Sequence, residues 1–74
     1  MENSRRVDEI NGELRTIDRD IARYRENIRE AEASGYGSVA NRVRETNEPR
    51  IRDAESRRER LDRERRRLLG LPPV

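Results

Sequence analysis

From Ser4 to Ala33 the apolar positions are Val7, Ile10, Leu14, Ile17, Ile21, Tyr24, Ile28 and Ala31, and their spacing alternates between three and four without a break. This is a heptad seam. Val7, Leu14, Ile21 and Ile28 occupy one core position, and Ile10, Ile17, Tyr24 and Ala31 the other. Only Ala22 and Ala33 add apolar surface elsewhere in the stretch. The pattern predicts one long helix, residues 4–33, with a single narrow sticky stripe. Asn3 or Ser4 is placed to cap it, and Asp8 and Glu9 put negative charge near its positive end. Gly12 sits inside the helix but off the seam, where it costs about 1 kcal/mol relative to alanine.

The second half carries the same signal more thinly. Gly35 and Gly37 bracket Tyr36 and mark a turn at 34–37, with Tyr36 expected to fold back over the end of the molecule. Residues 38–46 fit two conformations. Val39, Ala40 and Val43 continue a helical face, or the segment makes two very short strands around Ala40-Asn41. Asn47 before Glu48-Pro49 reads as an N-cap, because proline suits a first turn and disrupts a helix interior. A second long helix, 48–69, is therefore expected, with a break or kink near 46–49. Its apolar set is Ile51, Ala54, Leu61, Leu68 and Leu69, while Arg58 and Arg65 stand at seam positions and can cover it with their stems. Four acid-to-arginine pairs at i, i+4 support it: Glu48–Arg52, Asp53–Arg57, Glu59–Arg63 and Asp62–Arg66. Gly70 ends it, and a proline-rich tail, 70–74, follows.

Folding the chain at 34–37 brings two stretches of similar length together. Ile28 then faces Val43, Ile21 faces Ile51, Ile17 faces Ala54, Ile10 faces Leu61, and Val7 comes near Leu68. The expected fold is all-α, a single-domain antiparallel helical hairpin or coiled coil. The first helix carries more Ile and Leu than the second supplies in return. This excess points to a further contact through the seam residues Val7, Ile10, Leu14, Ile17, Ile21, Tyr24, Ile28, Ile51, Leu61 and Leu68, made with a second copy of the chain or with another protein.

Composition narrows the functional classes. Of 74 residues, 30% are hydrophobic and 46% charged, with no Cys, His, Phe or Trp. The balance is that of a coiled coil rather than of an ordinary globular domain. Without Cys and His the commonest metal ligands and the commonest general base are missing. The serines lie in no nucleophile context and the glycines form no phosphate loop. No enzyme, cofactor, metal site or small-molecule substrate is expected. No stretch reads as a membrane span or a signal segment, so a cytoplasmic location, or a particle assembled there, is expected.

Every basic residue is Arg, which reflects either GC-rich coding or selection for bidentate pairing with carboxylates and phosphates. Residues 1–35 hold seven Arg and nine acids, and residues 36–74 hold eleven Arg and seven acids, so the halves carry −2 and +4. That polarity suits antiparallel packing of the halves or head-to-tail contact between copies. The densest basic stretch supplies Arg57, Arg58, Arg60, Arg63, Arg65, Arg66 and Arg67 as candidate contacts to phosphate or to an acidic protein surface. A nucleic-acid-binding role is the alternative to a structural or adaptor role.

The segment S-V-A-N-R-V-R-E-T followed by the helix start R-I-R-D-A-E resembles the hairpin-to-helix passage of the head–tail joining family of lambda-like bacteriophages. The resemblance covers about half the chain. It implies two antiparallel helices, Asp8 to Ala33 and Asn47 to Leu69, flanking a short β-hairpin at Ser38 to Glu45. The family's usual turn glycine is replaced here by Ala40-Asn41. It further implies an oligomeric, non-enzymatic virion component found in the host cytoplasm or the particle. A small phage protein that binds a host factor has the same sequence character.

Overall fold

The structure, a computed structural model, describes residues 2–72. Two helices account for nearly all of them: α1, Glu2–Ala33, and α2, Gly37–Leu68. They pack antiparallel into a rod of 53 × 19 × 14 Å. The all-α hairpin expected from the heptad spacing is the fold.

The turn is built by short-range hydrogen bonds. Gly35 adopts φ 81°, a left-handed conformation open to glycine. Its N–H donates to the Glu32 carbonyl at 3.3 Å. The longer bond that usually completes such a cap is relayed through a side chain. The Ser34 hydroxyl donates to the Ala31 carbonyl at 2.6 Å and accepts from the Tyr36 N–H at 3.4 Å. At the far end of α2, Gly70 has φ 71° and the full two-bond cap forms. The Gly70 N–H reaches the Arg67 carbonyl at 3.2 Å, and the Leu71 N–H reaches the Arg66 carbonyl at 2.8 Å.

Four local expectations are corrected. α1 begins at Glu2, so Asn3 and Ser4 lie inside the helix rather than capping it. Residues 38–46 take the helical one of the two conformations their spacing allows, and no strand occurs among the described residues, so it is the β-hairpin implied by the phage resemblance at 38–45 that is absent. α2 runs through Pro49 as one helix, without the expected break at 46–49. Asn47 is not a cap but a buried mid-helix residue, 5% exposed. One physical cause links the last three. The α1 stripe continues to Ile28 and Ala31 and needs cover, which only a helical 38–47 supplies: Ala40 and Asn47 are both buried there. Pro49 and Glu45, whose carbonyl loses its donor, both lie on the exposed side, where water can replace the missing bond.

The core is a single file of side chains. Ile10, Leu14, Ile17, Ile21 and Leu61 form its buried centre, and Ile51, Ala54 and Leu68 pack against them. Polar pairs cross the interface at Arg6–Glu64, Asn11–Arg65, Asp18–Arg58, Asn27–Asn47 and Glu32–Arg44. From Asn11–Arg65 onward the α2 numbers fall as the α1 numbers rise, and Arg6 joins the same end of α2 through Glu64, in the antiparallel sense the apolar layers predict.

Candidate interaction faces

The ten seam residues face the inside of the hairpin. Ile10, Leu14, Ile17, Ile21 and Leu61 are buried, and Val7, Tyr24, Ile28, Ile51 and Leu68 are half-buried. Part of the expected excess of apolar surface on α1 is covered within the chain, at Ile10, Leu14, Ile17 and Ile21, while Val7, Tyr24 and Ile28 keep some exposure. Two arginines of α2 cross the interface at their head groups. Arg58 crosses to Asp18 at 2.8 Å and Arg65 to Asn11 at 3.0 Å, so each stem spans the interface beside the seam.

The densest ionic network lies at the open end of the rod. Arg6 forks onto Glu64, with Nε to Oε2 at 2.7 Å and a second nitrogen to Oε1 at 3.0 Å. This bidentate geometry is the strongest form of an arginine–carboxylate pair. Hydrogen bonding from Arg6 holds the Glu64 carboxyl below its usual range and raises Arg6 in turn. Glu13 lies between Arg6 at 3.8 Å and Arg57 at 3.5 Å. On α2, Asp62 accepts from Arg66 at 3.0 Å and from Arg65 at 2.5 Å, and the two bonds lower its pKa.

This network sorts the seven candidate arginines into two groups. Arg57, Arg58, Arg65 and Arg66 are committed to carboxylates within the hairpin. Arg60, Arg63 and Arg67 are exposed, and each lies beyond 4 Å from any carboxylate among the described residues. Their spacing of three and four sets them in one outward line. Of the four expected i, i+4 pairs only Asp62–Arg66 forms. Arg57 turns instead to Glu13 across the interface.

On α1, Arg15, Arg19 and Arg23 recur every four residues and are all exposed, off the seam. Of the acids beside them, Asp18 is taken by Arg58 at 2.8 Å and Asp20 reaches Arg23 at 3.7 Å. Tyr24 carries two cations near its ring, Arg23 at 5.7 Å and Arg50 at 5.9 Å from the centroid. Tyr36, expected to fold over the turn, is 69% exposed, and Val39 beside it 47%. Leu69 and Leu71 are similarly exposed at the opposite end. Sequence spacing could not single out these four, because exposure here follows from where each helix stops.

The surface grooves are shallow and open to solvent. One runs along the side of the hairpin past Glu9, Gly12, Thr16 and Arg57, and another lies at the open end between Arg63, Arg66, Arg67 and Leu71. Among the described residues no group of three or more acidic side chains is arranged to hold a metal ion, and no helix is long and apolar enough to cross a membrane. Comparison with known protein families, with curated proteins and with solved structures finds no match to the chain.

Proposed function

We propose that the chain is a non-enzymatic structural or adaptor protein. It acts as a short helical rod that carries its own core and meets other proteins through its charged outer faces and its ends. The observation that supports this reading is the buried centre of the seam: Ile10 is fully buried and Leu14, Ile17 and Ile21 are each 7% exposed or less within one chain. A hairpin that closes its own stripe is a unit before it meets a partner. Its exposed chemistry is mixed charge, suited to protein recognition.

The test is helicity and absolute mass measured together on dilution into the low micromolar range. Full helicity at the monomer mass of 8.8 kDa is expected. Helicity that falls as mass falls would mean that other copies, not α2, cover the stripe.

A second reading has its own support. Arg60, Arg63 and Arg67, with no carboxylate within 4 Å among the described residues, form a basic line over about 10 Å of helix, a length that spans neighbouring phosphates. Contact with nucleic acid would then weaken by close to one power of salt concentration per phosphate neutralised. Replacing all three with alanine would flatten that slope. Binding that ignores salt, or none at low salt, removes the reading.

A further inference from the structure

The exposed large apolar side chains of the described residues lie at the two tips of the rod. Tyr36 and Val39 are at the turn, and Leu69 and Leu71 at the open end. The charge around the two pairs is opposite. Residues 26–48, which form the turn end, hold five acids and three arginines. Residues 3–13 and 57–71, which form the open end, hold nine arginines and six acids. Beside Leu71 the cationic groups are Arg63, Arg66 and Arg67, and among the described residues the first and last of these have no carboxylate within 4 Å.

A second observation concerns the turn end itself. The last turn of α1 contains no basic residue and ends instead on Glu30 and Glu32. Carboxylates at a helix C-terminus oppose the helix dipole, and arginines there would be stabilising. Glu32 is partly offset by Arg44 at 3.4 Å; Glu30 is exposed and has no arginine within 4 Å. α2, by contrast, ends favourably on Arg65, Arg66 and Arg67. The turn end therefore carries negative charge that the end of α1 disfavours and that the N-terminus of α2, which shares this tip and has no acid in its own first turn, can offset, next to exposed apolar side chains. A local rule broken in this way is what a contact outside the chain would explain.

We propose that copies of the chain associate head to tail, with the turn end of one, Tyr36 and Val39 beside Glu30 and Glu32, seated on the open end of the next, Leu69 and Leu71 beside Arg63 and Arg67. The occupant of each tip is the other tip of a second copy, because the apolar pairs and the charges are complementary between tips and alike within one. The contact is heterologous, so each copy keeps one free tip and the series continues until it closes or ends. The cross-section of 19 × 14 Å limits the area buried per contact to a few hundred Å², below that of a stable dimer. The association is accordingly weak, in the range of about 0.1–1 mM, and sensitive to salt. This inference rests on the proposed function only in taking the single hairpin as the unit.

The experiment uses the full chain and two end variants, Tyr36→Ser with Val39→Ser and Leu69→Ser with Leu71→Ser. Sedimentation equilibrium is run up to about 1 mM, a ceiling set by the expected affinity, with helicity read at each concentration. The wild type is expected to exceed twice the monomer mass at low salt, at constant helicity, and to return toward monomer at high salt. Each variant alone is expected to stay monomeric. Mixed in equal amounts, the variants are expected to form a dimer and nothing larger, because each supplies the tip the other lacks. A variant pair of charge, Arg63→Glu with Arg67→Glu, tests the same end without touching an apolar side chain and should also remain monomeric. Wild-type mass that stays at the monomer value throughout, variants that associate as the wild type does, or a mixture that forms no dimer would each overturn the proposal. A loss of helicity on dilution would instead count against the sealed hairpin, so the two failures are separable.

Discussion

Asn47 shows at the scale of one residue how tertiary context overrides a local rule. The string Asn47-Glu48-Pro49 has the chemistry of a helix start. In the folded chain the same asparagine is buried in the seam. Its amide donates to the Val43 carbonyl at 2.7 Å, and its oxygen accepts from Asn27 across the interface at 3.3 Å. A polar residue at a single core position lowers stability but fixes register, since a shifted pairing would leave it without a partner. Asn47→Leu is therefore expected to raise stability by about 1 kcal/mol while admitting other registers or assemblies. Chemical denaturation combined with absolute mass checks both halves. Lower stability with an unchanged single species would mean that the Asn27–Asn47 pair is a net stabilising contact rather than a register device. The turn glycines, in contrast, were legible from sequence alone, because Gly35 and Gly70 answer to backbone geometry and to nothing beyond their own helix ends.

At the scale of an element, both helices contain a residue that opposes helix formation, and each is tolerated for a different reason. Gly12 lies within α1, where an added Cβ would meet only the Arg15 guanidinium at 3.8 Å, an ordinary contact. Nothing within the hairpin needs the missing side chain. Gly12→Ala should stabilise the hairpin by about 1 kcal/mol, read as a rise in melting midpoint of about 4–8 °C for a domain of this size. No rise would show that the glycine already sits in a relaxed, favourable setting. Pro49 in α2 is the stronger offence. Its position on the exposed side leaves packing intact, so Pro49→Ala should raise the midpoint by more than Gly12→Ala does, toward an upper limit of about 3 kcal/mol. An equal or smaller rise would mean that α2 is already bent to relieve the proline. Periodicity made α1 legible over its length and α2 from residue 48 onward, since seven-residue spacing leaves few alternatives. The helix continues through 46–49 without a break because proline acts on the chain locally, whereas burying Ile28 and Ala31 acts over the whole interface.

For the whole molecule, antiparallel pairing of the apolar layers could be read from residue numbers, but the ionic clasp at the open end could not. Spacing assigns Asp53 to Arg57 and Glu59 to Arg63 along one helix; the folded chain sends Arg57 to Glu13 and closes Arg6 on Glu64. Long side chains choose partners by position in space, which a one-dimensional pattern does not contain. The clasp has a pH signature. Hydrogen bonds from Arg6 lower the Glu64 pKa from its ordinary 4.5, and those from Arg66 and Arg65 lower Asp62 from 3.8. A carboxyl whose pKa is depressed by folding binds fewer protons in the folded than in the unfolded state. Its stabilising contribution is complete above the unfolded pKa and is lost as pH falls through the folded one. The hairpin should thus hold its stability down to about pH 5 and lose it progressively below, with the open end loosening before the turn end. Both carboxylates are partly solvent-exposed, so added salt should shrink the effect. Glu64→Gln keeps the shape but removes the titrating charge. It is expected to be less stable than the wild type at neutral pH and to respond less to acid. Amide exchange followed across the pH range would locate the loss: faster exchange near Arg6 and Glu64 before Ser34 and Ala40 supports the clasp. Simultaneous loss along the rod would show that acid acts on the hairpin as one cooperative unit and that the open end has no separate weakness.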